Sequence, residues 1–405
     1  MKTVQYTEVK GWSTGYLAIL GVLGAIIVVG LGAAYYMEHQ GHWVTGMSNQ
    51  VVWGMPHVFA IFLIVAASGA LNVASIGTVF GKPMYKPLAR LSGLLALALL
   101  AGGLAVLVLD LGRPDRLIVA MTKYNFRSIF AWNIFLYTGF MVIVAVYLWF
   151  MMEARMNRYY KTAGYAAFIW RLILTTGTGS IFGFLVARPG YDAAVMAPMF
   201  IVMSFSFGLA IFMLVLMASY KWLARPLGDA VLGRLKNLLG VFVAAALYFV
   251  AVQHLTNLYA AEHHAFEAFM LLDGGIYPLL FWGGFVVVGS ILPMVLVWHP
   301  AFSASRTWLG VASALVILGG LTQIYVILIG GQAYPMEMLP GHEIISSAFF
   351  DGVVAGYSPS LPEFLLGMAG VGVALIMVVI GVKVLRFLPV TLADEAVDPH
   401  ATAKA

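Results

Sequence analysis

The chain has 405 residues, 62% of them hydrophobic and only 10% charged, against about 25% charged for ordinary soluble domains, which excludes a soluble globular protein. Mean hydropathy of +0.94 lets most residues sit in lipid, so the useful count is of bilayer crossings rather than of domains. Zero cysteines exclude disulfides, thiolate nucleophiles, cysteine-ligated iron–sulfur clusters and thiolate zinc sites, and a net charge of +5 spread over loops argues against nucleic acid.

A bilayer core of about 30 Å needs roughly 20 apolar residues in a helix. Runs of that kind, bounded by charges, Pro or Gly clusters, predict ten spans at residues 15–37, 51–80, 88–112, 129–152, 162–186, 194–220, 237–258, 275–298, 307–330 and 361–385. The first has no small-residue cleavage site after a short apolar core, so it is expected to be a retained anchor. Lys and Arg outside the spans divide sixteen to five in favour of the side that carries both termini, and the positive-inside bias assigns that side to the cytoplasm. The expectation is an all-α integral membrane protein with one polytopic domain over residues 1–389. The polar, aperiodic segment 390–405 is expected to be a disordered cytoplasmic tail.

Four of the five positive residues on the outer side, Arg113, Arg116, Lys123 and Arg127, crowd into the loop after the third span. The other long outer loops are acidic: residues 259–274 carry Glu262, Glu267 and Asp273, and residues 331–360 carry Glu337, Glu343 and Asp351, with no Lys or Arg in either. A basic patch beside acidic, His-containing loops suits the docking of a partner.

Ionisable groups inside a membrane are costly and tend to mark function. His57 near the outer end of span 2 and His254 near the outer end of span 7 can each give and take a proton near neutral pH, although an interfacial histidine also serves as an ordinary polar residue. Asp110 and Arg113, three apart at the outer end of span 3, are spaced to pair on a helix that Gly112 and Pro114 then end. They read either as a helix-terminating ion pair or as a proton-exchanging carboxylate tuned by a guanidinium. Arg171 lies ten residues past Lys161, about 15 Å into the membrane, where it needs a carboxylate, carbonyls or buried water unless it snorkels. Two histidines at one depth do not make the paired axial sets of a transmembrane haem protein. The segment EHHAFE, with Glu262, His263, His264 and Glu267, reads as a solvated amphipathic helix rather than a metal site. Gly177, Gly179 and Gly183 follow no strand and precede no GK[ST], so they indicate close helix packing.

The run Asp110-Leu-Gly-Arg-Pro114 resembles the signature of the NrfD/PsrC family of quinone-reactive membrane subunits. Trp53-Gly54 before FLIVAASGAL, SIFAWN over Ser128 to Asn133, and Tyr357-Ser-Pro-Ser360 with Glu363 agree with it. The likeness covers spans 2 to 10, and the loop before the last span is most similar to the branch found in sulfur-metabolism complexes. It implies two four-helix bundles, spans 2–5 and 6–9, flanked by spans 1 and 10. It also implies a menaquinone or ubiquinone pocket near the outer face of the first bundle. The expected partners are an extracytoplasmic ferredoxin-like iron–sulfur subunit, a cytochrome and further membrane subunits, with no haem or cluster on this chain. The site residues that follow are Asp110, where a quinol would shed protons, and His57, hydrogen-bonding a quinone carbonyl, with Gly112, Arg113, Trp132 and Asn133 around the pocket. Some members carry His in place of Asp110, His at the position of Ser68, or Asp in place of Asn133, which puts a complete transmembrane proton path in doubt. A rival reading is an ion or proton translocator running through Arg171, His254, Gln323 and Tyr325; a solute carrier is less favoured, because apart from Arg171 the membrane middle is too apolar.

Overall fold

Long Leu, Val, Ala and Phe runs can satisfy their backbone polar groups in lipid only as helices or closed barrels. In the computed structural model, which describes residues 4–336 and 353–398, they are helices. The ten long ones are α1 (Thr14–Gln40), α2 (Met55–Thr78), α3 (Ala89–Leu109), α4 (Ile129–Met152), α5 (Tyr160–Gly183), α6 (Met196–Trp222), α7 (Asp229–Tyr259), α8 (Ile276–Trp298), α9 (Arg306–Ala333) and α10 (Leu361–Val384). Nine are long and apolar enough to cross a membrane. The tenth, α5, holds Lys161, Arg171 and a run of Thr, Gly and Ser, yet lies against α2, α4 and α6 like its neighbours. The protein is therefore a multi-pass membrane protein, with nine spans by length and composition among the described residues rather than the ten expected.

Neighbour relations draw two rings. Helices α2, α3, α4 and α5 pack in cyclic order, as do α6, α7, α8 and α9. The rings meet where α2 crosses α6, and the crossing is made of small residues: a Cβ on Gly208 would run into the backbone of Gly69 and Ala70. Close backbone approach of this kind replaces the hydrophobic drive that lipid removes. α1 and α10 pack on each other, and α10 leans on α2 and α3, so both extra helices sit on the first ring.

α8 is wound as a π-helix over Leu279–Ile291, and α9 over Val326–Gly330. Where the two cross, Gly289 and Gly319 face each other with no room for a side chain.

At the end that carries both termini, Tyr6–Thr7 and Leu388–Pro389 pair as two short antiparallel strands. Past Pro389 the chain differs from the structureless tail expected. Leu392 bridges to Leu227, Asp394–Val397 forms a helical turn, and the Asp394 carboxylate accepts from the Ala230 N–H at the start of α7 (2.9 Å). Leu392 and Val397 are buried, and two apolar anchors in an otherwise polar segment account for its packing through Asp398. Residues 399–405 lie outside the described residues, as do Glu337, Glu343 and Asp351 of the acidic loop.

Candidate functional site

At the end opposite the termini, the first ring places His57, one turn into α2, against Asp110, the residue that ends α3. His57 Nδ1 and Asp110 Oδ2 are 2.7 Å apart, with the carboxylate side chain fully shielded and the imidazole 15% exposed. The contact is close but not aligned as a hydrogen bond, so among the described residues neither Asp110 oxygen receives one. A buried carboxylate without a donor is costly, and catalytic hydrogen bonds are often loose until the ligand arrives. Trp53 lies over His57, 6.3 Å away and nearly parallel, and it also touches Phe130 of α4 and Phe182 of α5. All four helices of the ring thus reach one aromatic-walled spot.

The expected Asp110–Arg113 pair is not formed. Gly112 takes φ +66°, a conformation that a glycine adopts freely, and the turn carries Arg113 away to Asp115, which it grips through Nε and Nη2 at 2.9 Å each. That exposed pair holds the Asp115 carboxyl below and the Arg113 guanidinium above their ordinary pKa. Gly112 itself faces His42 at the end of α1. Trp132 does not wall the spot either. It donates to the Phe126 carbonyl (2.9 Å) and lies against Phe126 and Phe135, while Phe130 takes the place expected for it. Asn133 is buried one turn deeper, donating to Ile129 O and Gly177 O, with its Oδ1 unpaired.

Sequence reasoning missed the residues that hold Trp53 in place. The Gln332 carboxamide, at the end of α9, accepts from the Val52 and Trp53 N–H groups (3.0 Å each) and donates to the Trp53 carbonyl (3.0 Å). Arg188, between α5 and α6, spans Gln332 O and Gln50 O at 3.0 Å each, and burial lowers its pKa. On the other flank, Glu363 of α10 is fully buried and accepts from Gly46 N, Ser360 N and the Tyr357 hydroxyl, whose oxygen accepts from Met55 N. Burial first and the Glu363 charge second push that hydroxyl's pKa up. Neutral amides give no sequence signal for such a role; the Tyr357–Glu363 motif did.

The four residues proposed as a translocation path separate. Arg171 is only 1% exposed, which excludes snorkelling. Among the described residues it meets no carboxylate: Nη2 donates to Asn72 Oδ1 (2.8 Å) and the guanidinium lies 5.0 Å from the ring centres of Phe168 and Phe205. Tyr325 stacks with Tyr277 and touches Tyr357. His254 and Gln323, however, border one cavity. His254 is hydrogen-bonded through Nδ1 to Glu267 Oε2 (2.7 Å), and Asn257 donates to Glu267 Oε1 (2.7 Å). Glu267 belongs to the segment expected to be a solvated helix. It is instead fully buried, because Phe266, Phe269 and Met270 fold that segment inward.

The family model for polysulphide reductase NrfD matches residues 43–336. The chain belongs to the NrfD family. The matched segment runs from just before α2 through α9 and so contains both His–carboxylate pairs. Relatives align almost end to end. The Hdr-like menaquinol oxidoreductase integral membrane subunit of Archaeoglobus fulgidus is 28% identical over 397 residues, covering 98% of this chain and 99% of the relative. A putative dimethyl sulfoxide reductase membrane subunit of Halobacterium salinarum is 27% identical, covering 95% and 92%. A selenate reductase subunit of Mesobacillus selenatarsenatis is 23% identical, covering 89% and 92%.

Proposed function

We propose that this NrfD-family chain is the quinone-reactive subunit of a respiratory or sulfur-metabolism electron-transfer complex. It exchanges electrons between membrane quinone and an iron–sulfur protein outside the membrane. The observation that carries the reading is Asp110: a shielded carboxylate beside a histidine, with no hydrogen-bond donor among the described residues, in an aromatic-walled spot of a family that includes a menaquinol oxidoreductase membrane subunit.

The residues suit a quinone head group. A quinone offers two carbonyl oxygens and a flat ring; a quinol offers two hydroxyl donors. Asp110 Oδ1 is an acceptor in search of a donor, and His57 keeps one ring nitrogen beyond the Asp110 contact. Trp53 and Phe130 supply flat apolar surface, and Gly112 adds no side chain in the way. Bound quinol supplies two electrons and two protons, the redox chemistry being its own. Asp110 takes one hydroxyl proton as general base, the remaining ring nitrogen of His57 takes the other, the two electrons leave to the external iron–sulfur protein, and the aromatic wall excludes bulk water.

With no cysteine on the chain, any cysteine-ligated cluster that receives the electrons sits on another subunit. A ferredoxin-like protein docked by the basic loop at Arg113, Arg116, Lys123 and Arg127 fits, with a cytochrome beyond it. In this reading the pair faces the outer side of a cytoplasmic membrane and both termini lie inside, which the Lys and Arg bias supports. Quinol-driven reduction of the isolated iron–sulfur subunit by membranes carrying Asp110→Asn tests the proposal: loss of electron transfer with intact assembly is expected, and full activity overturns it.

A further inference from the structure

The second ring holds a separate buried pair, His254–Glu267, with a cavity of about 30 Å³ beside it. Gln253, His254 and Asn257 of α7, Gln323 of α9, Met199 of α6 and Phe266 contribute to its lining. That space has room for one or two waters. Gln253 and Gln323 are 5% and 2% exposed, and the Oε1 of each is buried with no hydrogen-bond partner among the described residues. Two orphaned carboxamides around one small space are what an ordered water satisfies, because native proteins rarely leave buried polar groups unpaired.

We propose that this cavity is a hydrated proton-binding site, in which water held by Gln253 and Gln323 serves the free ring nitrogen of His254. Nδ1 is committed to Glu267, so Nε2 is the nitrogen that gains or loses a proton. When Nε2 is protonated it donates to the cavity water, and the water's two hydrogens go to the carboxamide oxygens of Gln253 and Gln323. On the other side Glu267 accepts Nδ1–H on one oxygen and the Asn257 amide on the other. Every donor and acceptor of the imidazolium–carboxylate pair is then matched. Loss of the proton to the water returns the neutral imidazole and leaves an N–H···carboxylate bond. One N–H bond breaks, one O–H bond forms on the water, and no electron moves. The imidazole is 14% exposed, which gives the proton a way in from the surface.

The groups around His254 support this assignment. From α8 it meets the ring of Phe281, 4.7 Å away; α6 and the loop before it bring Met196, Met199 and Gly190 to the cavity, and α9 brings Gln323. The one charged group in contact with it among the described residues is Glu267. Other nearby titratable groups face elsewhere: His264 contacts Leu258 O, Tyr191 donates to Leu328 O and Arg188 grips two carbonyls, while His263 lies 3.7 Å from Glu262 through Nε2 and has a buried Nδ1 without a partner among the described residues.

The site is tested without quinone, on the full chain in lipid nanodiscs. Infrared difference spectra on exchange of H2O for D2O read the histidine-ring and carboxylate bands, and His254→Asn and Glu267→Gln identify those of the pair. Wild type is expected to exchange the His254 ring proton on the order of tenfold faster than Gln253→Leu/Gln323→Leu, with the pair's bands still present. Gln323→Met alone, a gentler change, is expected to fall between them and stands in if the double variant fails to fold. Equal exchange rates in wild type and either variant, with the bands intact, overturn the proposal. So does a band set unchanged by His254→Asn. Neither result bears on quinol turnover, which is lost or kept according to Asp110.

Discussion

The two helix rings carry the same pair of chemistries at the same end of the molecule, and they treat it differently. In the second ring, His254 and Glu267 are aligned, and Asn257 fills the remaining carboxylate oxygen. In the first ring, His57 and Asp110 are equally close but misaligned, and the carboxylate is shielded with no hydrogen bond. A satisfied pair strengthens its surroundings, whereas an unsatisfied one stores a demand that a ligand can meet. Separation between groups, 2.7 Å in both cases, says nothing of this. Alignment and the count of filled acceptor positions do.

The contrast breaks if removing the charge has the same effect at the two carboxylates. Asp110→Asn is expected to lower quinol-dependent electron transfer by a hundredfold to ten-thousandfold, the span typical of a general base. Its thermal midpoint in detergent should stay at or above that of wild type, since no hydrogen bond is lost. Glu267→Leu should do the reverse. It strands the partners His254 and Asn257 inside the protein, which costs about 3–5 kcal/mol and shows as a large drop in the unfolding midpoint, with quinol turnover by the surviving fold largely retained. Gln332→Ala sharpens the comparison, because it removes the acceptor of the Trp53 N–H from outside the first ring; turnover should fall roughly tenfold and stability by about 1–3 kcal/mol. Arg113→Ala is the smallest change. Its pair with Asp115 is exposed and does not touch Asp110, so turnover with a soluble quinol analogue and an artificial acceptor should stay within about twofold. A much larger loss would mean that Arg113 returns to Asp110 in the working state.

Much of this was legible in the sequence, and the limits are physical. The helices could be read because a lipid-spanning helix must show its apolarity in one contiguous run. The predicted start of span 2 at residue 51 was early by four because Val51 to Gly54, though apolar in part, are held extended by Gln332 and precede the helix at Met55. Asp110, His57 and His254 stood out as ionisable groups where charge is expensive. Their partners did not. His57 and Asp110 meet across 53 positions of chain, and the nearer candidate, Arg113, was removed by a single glycine dihedral. Glu267 was hidden in a polar stretch that a composition argument assigns to solvent. Gln253 and Gln332 carry no charge and so give no cost signal, although one borders the His254 cavity and the other holds the backbone of Trp53.

The Glu363 clamp bears on how the protein is made. The N–H of Gly46 and the hydroxyl that receives Met55 N are joined to a carboxylate 317 positions from Gly46. During synthesis the loop that leads into His57 therefore waits, without this anchor, for the last helix to leave the ribosome and enter the bilayer. A chain cut short before α10 keeps both His–carboxylate pairs and lacks the latch on the loop above the first. Completion of the packing around His57 is tied to completion of the polypeptide, because the anchor for its loop is the last helix to be made.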